Sequence, residues 1–187
     1  MTQVISVVQE KGGAGKTTLL TALASLMVED GAMIAVIDTD PQRHLESWAK
    51  KDETDLDWLY EENDEKLIPT VKALKKAEPA YDAIFVDTAG FISAMSIHAI
   101  AAANLILIPS KANEADAKGA KRTYSHVQSV AETMEKEIPA LVVMMDVDTN
   151  TNITQAITDA LDAQEVPRLN AMCAHRTGFK EMTSTGQ

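Results

Sequence analysis

Cysteine is almost absent from this sequence of 187 residues, and aromatic side chains make up only 4% of it. The single thiol, Cys173, cannot form an internal disulfide, and it cannot build a cysteine-based zinc or iron–sulfur site alone. A disulfide-stapled secreted scaffold is therefore excluded. We expect the protein to work in the reducing environment of the cytoplasm.

Basic residues and long hydrophobic runs are also scarce. Seventeen Lys and Arg against 28 Asp and Glu give a formal net charge of -11, which repels a polyanion unless the basic residues cluster. No apolar run approaches the ~18 residues that span a bilayer. Glu10 and Lys11 interrupt the first apolar stretch where a signal peptide would continue it. We expect neither a nucleic-acid coat protein nor a membrane or exported protein.

The hydrophobic pattern, in contrast, is abundant and regular. Apolar runs of strand length alternate with segments of helical period, which is typical of repeated βαβ units. The sequence therefore predicts one α/β domain over residues 1–187, with a doubly wound, mainly parallel sheet and helices on both faces. The predicted strands are residues 4–8, 33–37, 83–86, 104–108 and 141–145, with weaker ones at 56–60 and 168–172. Residues 19–27 and 153–161 have clear helical spacing, and the acidic stretch 50–66 is predicted to be a solvated surface insertion.

A glycine-rich segment follows the first predicted strand and leads directly into a predicted helix. Residues 11–18 read Lys-Gly-Gly-Ala-Gly-Lys-Thr-Thr, which fits a phosphate-binding loop in the right context. Glycines let backbone N–H groups turn toward phosphate oxygens, and the helix N-terminus adds partial positive charge. In this interpretation Lys16 reaches the β- and γ-phosphates and Thr17 ligates Mg²⁺. The plainer alternative is a glycine-rich turn with a surface lysine.

Aspartates end two of the predicted strands, at the edge where open α/β sheets bind ligands. Residues 38–42 read D-T-D-P-Q and residues 87–90 read D-T-A-G. Asp38 and Asp40 are two apart, so on a continuing strand both would face the same side. The alternative for the first motif is helix capping by the aspartate before Pro41, and the alternative for the second is an aspartate that merely caps a turn. Combined with the phosphate-binding loop, the two motifs predict a magnesium–nucleotide site.

The loop departs from the strict pattern in one informative way, since Glu10 stands where glycine is required and a lysine follows it. K-G-G-x-G-K-T-T together with D-x-D-P-Q resembles the ParA/MinD family of deviant Walker A ATPases, and most closely the small ParA-type partition ATPases, including VirC1. The resemblance implies that Lys11 crosses a dimer interface to the partner's nucleotide, so that the ATP-bound homodimer is the active state. The alternative for Lys11 is a solvated loop lysine.

The resemblance also assigns roles to the site residues. Asp40 would orient the attacking water, Asp38 would support the Mg²⁺ shell, and Asp87 would hold a Mg²⁺-bound water while Gly90 senses the γ-phosphate. The implied catalytic residues are Lys11, Lys16 and Asp40, and the implied metal residues are Thr17, Asp38 and Asp87. The implied nucleotide-binding residues are Lys11, Gly12, Gly13, Ala14, Gly15, Lys16, Thr17, Thr18 and Gly90.

Further along the chain the resemblance is weaker. In the matching family segment a proline ends a strand, here Pro109, and an aspartate seven residues later, here Asp116, lies near the dimer interface. Residues 176–186 resemble the family's final region, although its members usually continue through another C-terminal helix. Nothing after residue 176 is long or amphipathic enough for the membrane helix of MinD-type members, so we expect no membrane binding.

The implied function is slow, Mg²⁺-dependent hydrolysis of ATP to ADP, stimulated by an adaptor protein, that partitions or positions plasmid, chromosome or protein cargo. In one interpretation, two basic clusters let the dimer bind DNA without sequence preference. In the other, these clusters are ordinary solvated surface. The clusters are Lys118, Lys121 and Arg122, and Arg176 with Lys180. Two other functions stay open: a metabolic phosphotransferase resembling dethiobiotin synthetase, and a nucleotide-gated interaction module.

Several residue types carry no clear functional signal in the sequence. ATP is favoured over GTP by the resemblance, and no N-K-x-D guanine motif is present. Met144 and Met145 are predicted to be core residues of a strand. The histidines show no metal-ligand spacing, so polar surface or ordinary packing is expected for each. They are His44, His98, His126 and His175.

Overall fold

The computed structural model describes residues 1–49, 56–148 and 151–175, which form a seven-stranded sheet with flanking helices. The strands are β1 (Gln3–Val7), β2 (Ile34–Asp38), β3 (Asp57–Tyr60), β4 (Ala83–Asp87), β5 (Leu105–Lys111), β6 (Ala140–Val147) and β7 (Arg168–Ala174). The helices are α1 (Lys16–Glu29), α2 (His44–Ala49), α3 (Asp64–Leu74), α4 (Ala94–Ala102), α5 (Glu114–Thr133) and α6 (Asn152–Asp162).

The order of the strands places the first one in the middle of the sheet. The order is β3-β2-β4-β1-β5-β6-β7, and every pair is parallel. The chain winds outward from β1 in one direction to β3, returns through β4, and then winds outward in the other direction to β7. The predicted α/β class is confirmed, and the sheet is wholly parallel. A reversal of winding opens a crevice at the carboxyl ends of the central strands, where ligands bind in such folds.

The central strands are buried on both faces, which explains why they read as continuous apolar runs rather than alternating ones. All five residues of β2 and of β4 are buried. Phe85 packs in the cluster with α1, whereas Ile84 and Val86 pack with α3 and α4 on the opposite face. Burial of a side chain such as Phe85 stabilises the fold by roughly 1.5–3 kcal/mol.

Pro109 does not end a strand, in contrast to the sequence-based expectation. β5 continues through Pro109 to Lys111 and stays paired with β6. The Leu107 carbonyl of β5 points toward β1 and accepts a hydrogen bond from the Val8 N–H. Because backbone groups two residues apart on a strand point the same way, the backbone polar groups of Pro109 also point toward the β1 side. There β1 has already ended, and the Gln9 side chain donates to the Pro109 carbonyl at 3.0 Å. The missing N–H of proline therefore costs no ladder bond.

Residues 56–66 of the acidic stretch 50–66 are part of the sheet and its helices rather than a solvated insertion. Residues 50–55 lie outside the described residues, but the rest supplies β3 at the sheet edge and the first turn of α3. The weak strand predicted at 56–60 is thereby confirmed. Of the helices in the described ranges, none combines the length and apolar character that crossing a bilayer requires.

Candidate functional site

The phosphate-binding loop connects β1 to α1, as the sequence predicts, and its geometry depends on glycine. Gly13 and Gly15 have φ values of 75° and 99°, in the left-handed region that side chains rarely adopt. Gly15 is the N-cap of α1, and no side chain in the described part of the chain caps this helix. The first N–H groups of α1 are therefore left for an anion, with the positive end of the helix dipole behind them.

A second glycine contact closes the loop from the β4 side. A Cβ atom on Gly90 would lie 2.9 Å from both the Cα and the N atom of Gly12, which real side chains do not tolerate. The D-T-A-G turn after β4 therefore packs backbone to backbone against the phosphate-binding loop. The structure thus brings Gly90 to the loop, where the sequence places it in the nucleotide-binding set.

Beneath the loop, three oxygen-bearing side chains come together. The Thr17 hydroxyl donates to Oδ2 of Asp87 at 2.6 Å, and Asp38 pairs with Asp87 in the β2–β4 register. Both carboxylates are at most 1% exposed. Oδ1 of Asp87 and Oδ2 of Asp38 are buried and have no hydrogen-bond partner among the described residues. Such orphaned carboxylate oxygens are costly unless a ligand satisfies them.

This donor set fits a magnesium ion. Mg²⁺ prefers oxygen ligands and is bound by one or two carboxylates together with substrate phosphates. Asp38, Asp87 and Thr17 supply such oxygens directly below the phosphate-binding loop. Across the described ranges there is no group of three or more acidic, histidine or cysteine residues that could hold a metal ion by itself. A site that is completed by phosphate oxygens agrees with both observations.

Burial perturbs the ionisable groups of this site. It raises the pKa of Asp87 to about 7, against the hydrogen bond from Thr17, and the neighbouring charge of Asp38 adds to the rise. Burial also raises the pKa of Asp38, against the N–H donated by Asp40. For Lys16, burial lowers the pKa, and attraction to Asp87 and Asp40 opposes it. These poorly solvated charges would be compensated by a bound cation and phosphate.

Asp40 is not part of a strand, which corrects the expectation that it shares a strand face with Asp38. β2 ends at Asp38, whose Oδ1 accepts from the Asp40 N–H at 2.9 Å. Oδ1 of Asp40 accepts from the Gln42 N–H at 2.9 Å, so the segment forms successive side-chain-to-backbone turns. The helix-cap alternative is also wrong, because α2 begins only at His44. Asp40 nevertheless lines the cavity beside Lys16.

Lys11 does not line the cavity at the phosphate-binding loop. Its ammonium group forms an ion pair with Asp116 at the start of α5, a carboxylate that is only 2% exposed. The Lys11 side chain is 46% exposed, so this lysine is solvated as well as paired. The neighbouring Glu10 pairs with Arg122, and Lys118 pairs with Glu114. Two members of the first basic cluster are thus already engaged with carboxylates.

The other predicted residues occupy different positions. Lys121 is exposed and makes no ion pair with the described residues. The second basic cluster, Arg176 with Lys180, lies outside the described residues. Ala14 is buried in the loop at 1% exposure. The predicted residues that line the cavity are Gly12, Gly13, Gly15, Lys16, Thr17, Thr18, Asp40 and Gly90.

A cavity of about 750 Å³ extends from the phosphate-binding loop to the ends of β6 and β7. Its far wall contains Met145, Asp146 and Cys173, none of which sequence reasoning assigned to a site. Met145 is buried, as expected for a core residue, but it also faces this cavity. The alternating pattern indicates that β6 and β7 end at the same edge of the sheet as β1, but it does not show that they end beside this loop. His44 lines the cavity on the α2 side.

Comparison with known proteins agrees with this geometry. The family model described as "VirC1 protein" matches residues 2–187. The chain belongs to the VirC1 family. It is 27% identical over 190 residues to protein virC1 of Rhizobium radiobacter, which covers 98% of this chain and 81% of that protein. It is 29% identical over 142 residues to protein ParA of the same species, covering 75% of this chain and 63% of that protein.

Solved structures place this VirC1-family chain in the fold of the ParA/MinD P-loop NTPases. The apo McdA structure from Cyanothece superimposes with a TM-score of 0.81 at 18% identity, covering 100% of this chain and 91% of that one. The MinC:MinD cell division protein complex of Aquifex aeolicus gives a TM-score of 0.79 at 20% identity, covering 99% and 86%. The predicted resemblance and fold are confirmed.

Proposed function

We propose that this VirC1-family protein is a Mg²⁺-dependent ATPase that cycles between a monomer and an ATP-bound dimer to position DNA or protein cargo. The observation that carries the proposal is the pair of orphaned oxygens on Asp38 and Asp87, buried below an uncapped helix N-terminus. Sites with unsatisfied carboxylates beside an anion cradle are suited to a metal–phosphate ligand. Membership of a family related to ParA proteins supports the same activity.

Hydrolysis would proceed by in-line attack of water on the γ-phosphate, in which catalysis is mostly positioning and charge stabilisation. Lys16 and the N–H groups at the start of α1 neutralise charge on the phosphate oxygens. Asp40 lies at the rim of the same cavity, and its Oδ2 accepts no hydrogen bond from the described residues, so it can orient a water. Bound Mg²⁺ would supply positive charge to the phosphates, held by Thr17, Asp38 and Asp87.

Dimerisation depends on Lys11 in this proposal. An ATP-bound partner offers Lys11 phosphate oxygens in place of Asp116, and the lysine must leave Asp116 to reach them. The turn at Gly90 touches Gly12 directly, so displacement at the γ-phosphate side is passed to the loop that carries Lys11. The ADP-bound protein lacks those contacts and stays monomeric.

Cargo positioning is the broadest part of the proposal, and it is supported by relatives rather than by the site. Curated relatives are named ParA in Rhizobium radiobacter and sporulation initiation inhibitor protein Soj in Bacillus subtilis. The ATP dimer would bind DNA nonspecifically in the cytoplasm, and an adaptor protein would stimulate hydrolysis. A dimer doubles every basic group, which offsets part of the repulsion from the net charge of -11.

A phosphate-release assay tests the enzymatic part. The protein should hydrolyse ATP only with Mg²⁺, and Lys16→Ala should lose roughly 10- to 100-fold in nucleotide affinity, because it removes charged hydrogen bonds. Asp40→Ala should keep ATP binding and lose turnover. Lys72→Ala, on the exposed side of α3, is the matched control and should behave as wild type. Normal turnover in Asp40→Ala would refute its role, and binding without turnover in the wild type would favour a nucleotide-gated interaction module.

A DNA titration tests the positioning part. Binding should require ATP, be indifferent to sequence, and weaken steeply as salt rises, because phosphate contacts release counterions. The titration is run with ATP, with ADP and without nucleotide at several salt concentrations. Absence of binding in all three states would overturn the DNA part while leaving the ATPase proposal intact.

A further inference from the structure

The cavity has a second end, remote from the carboxylates of the metal site. It lies where β6 and β7 finish, and Met145 and Cys173 line it. The side chain of Met145 would lie 3.5–3.7 Å from a Cβ atom on Gly15, so it packs directly against the phosphate-binding loop. Methionine and half-buried cysteine give this end an apolar, polarisable wall of the kind that accepts a flat aromatic ring.

Asp146 is held at this end by unusual backbone geometry. Its φ is 55°, in the left-handed region, although it is not glycine. The pairing of β6 with β7 is irregular on both sides, between Val142 and Met144 and again between Met144 and Val147. Such irregularities re-aim side chains beside active sites, and non-glycine residues keep such a conformation where the surroundings enforce it. Asp146 is exposed between two buried neighbours and lines the cavity.

His175 fixes the carboxylate of Asp146. Its ring nitrogen Nδ1 donates to Oδ1 of Asp146, because an ionised carboxylate can only accept. The His175 N–H donates to the Val147 carbonyl at 2.9 Å, which anchors the histidine to β6. Oδ2 of Asp146 accepts no hydrogen bond from the part of the chain that the structure describes. Asp146 lines the cavity, so this oxygen is available to accept a hydrogen bond from a ligand there.

A single acceptor at this position discriminates between purines. Adenine carries one exocyclic amine beside a ring nitrogen that accepts, so it offers one donor to one oxygen. Guanine offers two adjacent N–H donors, which are best matched by a carboxylate with both oxygens available. The engagement of Oδ1 by His175 leaves Asp146 with the adenine-type arrangement.

We infer that Asp146, held by His175, is a specificity-determining residue that accepts a hydrogen bond from the exocyclic amine of adenine. The inference rests on the proposed function, because it presupposes a nucleoside triphosphate with its phosphates on the loop at residues 11–18. The phosphate-binding loop contacts only phosphates, so it cannot distinguish adenine from other bases. Asp146 and His175 would provide this preference for adenine.

The test compares ATP with purine riboside 5′-triphosphate, which lacks the amine, by equilibrium titration with Mg²⁺. The wild type should bind ATP about 10- to 150-fold more tightly, the ratio expected for one hydrogen bond to a charged acceptor. Asp146→Ala should bind both equally, through loss of ATP affinity alone. An unchanged preference in Asp146→Ala would overturn the inference and leave the proposed function standing. Failure of the wild type to bind either triphosphate would overturn both.

Two further variants separate the carboxylate from its backbone and from its partner. Glu165 also has a positive φ, of 54°, but lies in the α6–β7 turn outside this cavity. Glu165→Ala should therefore keep the ATP preference. His175→Ala frees Oδ1 and should narrow the ratio of ATP to GTP affinity, since guanine then finds two acceptors. An ATP-to-GTP ratio that stayed the same in His175→Ala would contradict the role given to the histidine.

Discussion

At the scale of single residues, Asp87 links the site to pH. Its pKa is raised to about 7 by burial, so between about pH 4 and pH 7 the folded protein holds a proton that the unfolded chain releases. The free energy of unfolding of the nucleotide-free protein should therefore fall as pH rises through this window. Asp38, whose pKa is also raised, acts in the same direction.

This dependence can be measured by urea unfolding at pH 5 and pH 8. The wild type should lose a few kcal/mol of stability over this interval from Asp87, and Asp87→Asn should lose less because the amide does not titrate. Magnesium–ATP should oppose the trend, since it binds the ionised carboxylates. Parallel pH profiles for wild type and Asp87→Asn would contradict the assignment.

Cys173 provides a chemical reporter of the same cavity. It is the only cysteine, it lines the cavity, and burial raises the pKa of its thiol. Alkylation should be slow at neutral pH because the thiolate is the reactive form, and faster as pH rises. Mg²⁺–ATP at a concentration that just saturates the wild type should slow it several-fold further there, and should slow it less in Lys16→Ala, which binds nucleotide more weakly. Equal rates with and without nucleotide in the wild type would show that ligand does not reach β7.

At the scale of elements, the contact between the turn after β4 and the phosphate-binding loop makes a prediction about stability. Gly90→Ala places a Cβ atom 2.9 Å from the backbone of Gly12, so one segment must shift. We expect a loss of about 1–3 kcal/mol and a lower melting temperature by several degrees. Gly12→Ala is the matched control, because nothing lies within 4 Å of a Cβ atom there and its φ is ordinary. Equal melting temperatures for the two variants would contradict the close packing.

Elements whose signals are local could be predicted from the sequence. β1, the glycine loop and α1 are contiguous, so Lys16 and Thr17 follow from one stretch of chain. Asp87 is recognisable because it ends an apolar strand in β4. The turn at Asp40 could not be predicted, because its side-chain-to-backbone bonds compete with strand extension and leave no periodic signal.

Contacts between distant segments were also inaccessible to sequence reasoning. The ion pair between Lys11 and Asp116 joins residues 105 positions apart. The family resemblance singles out each residue but does not predict that the two contact each other. The cavity wall at Met145 and Cys173 depends on β6 and β7 ending beside α1, which local periodicity does not encode. The expected strand end at Pro109 is wrong, because the effect of a proline on a strand depends on where the neighbouring strand ends.

At the scale of the whole molecule, the ion pair between Lys11 and Asp116 bears on the oligomeric state. Because the proposed dimer needs Lys11 to leave a buried carboxylate, weakening the pair should favour the dimer. Asp116→Asn should therefore dimerise at a lower ATP concentration than wild type, and Lys11→Ala should stay monomeric in ATP. Multi-angle light scattering across an ATP titration, using Asp40→Ala backgrounds to prevent turnover, measures both.

Glu132→Gln, on an exposed position of the same helix α5, is the control and should not change the ATP requirement. Identical masses in ADP and in a nonhydrolysable ATP analogue would refute the nucleotide dependence of dimerisation. A dimer in Asp116→Asn without nucleotide would show instead that the γ-phosphate is not needed once Lys11 is released.

The central position of β1 has a consequence for how the chain is made. β1 leaves the ribosome before the other strands of this sheet, yet its two neighbours are β4 at Ala83–Asp87 and β5 at Leu105–Lys111. At synthesis rates of about 5–20 residues per second, the chain needs roughly 5–20 s after β1 to produce both of them. During that interval the nascent apolar strand and the glycine loop behind it have no sheet to join. A slowed ribosome between residues 30 and 111 should therefore lengthen the time for which chaperones bind the nascent chain.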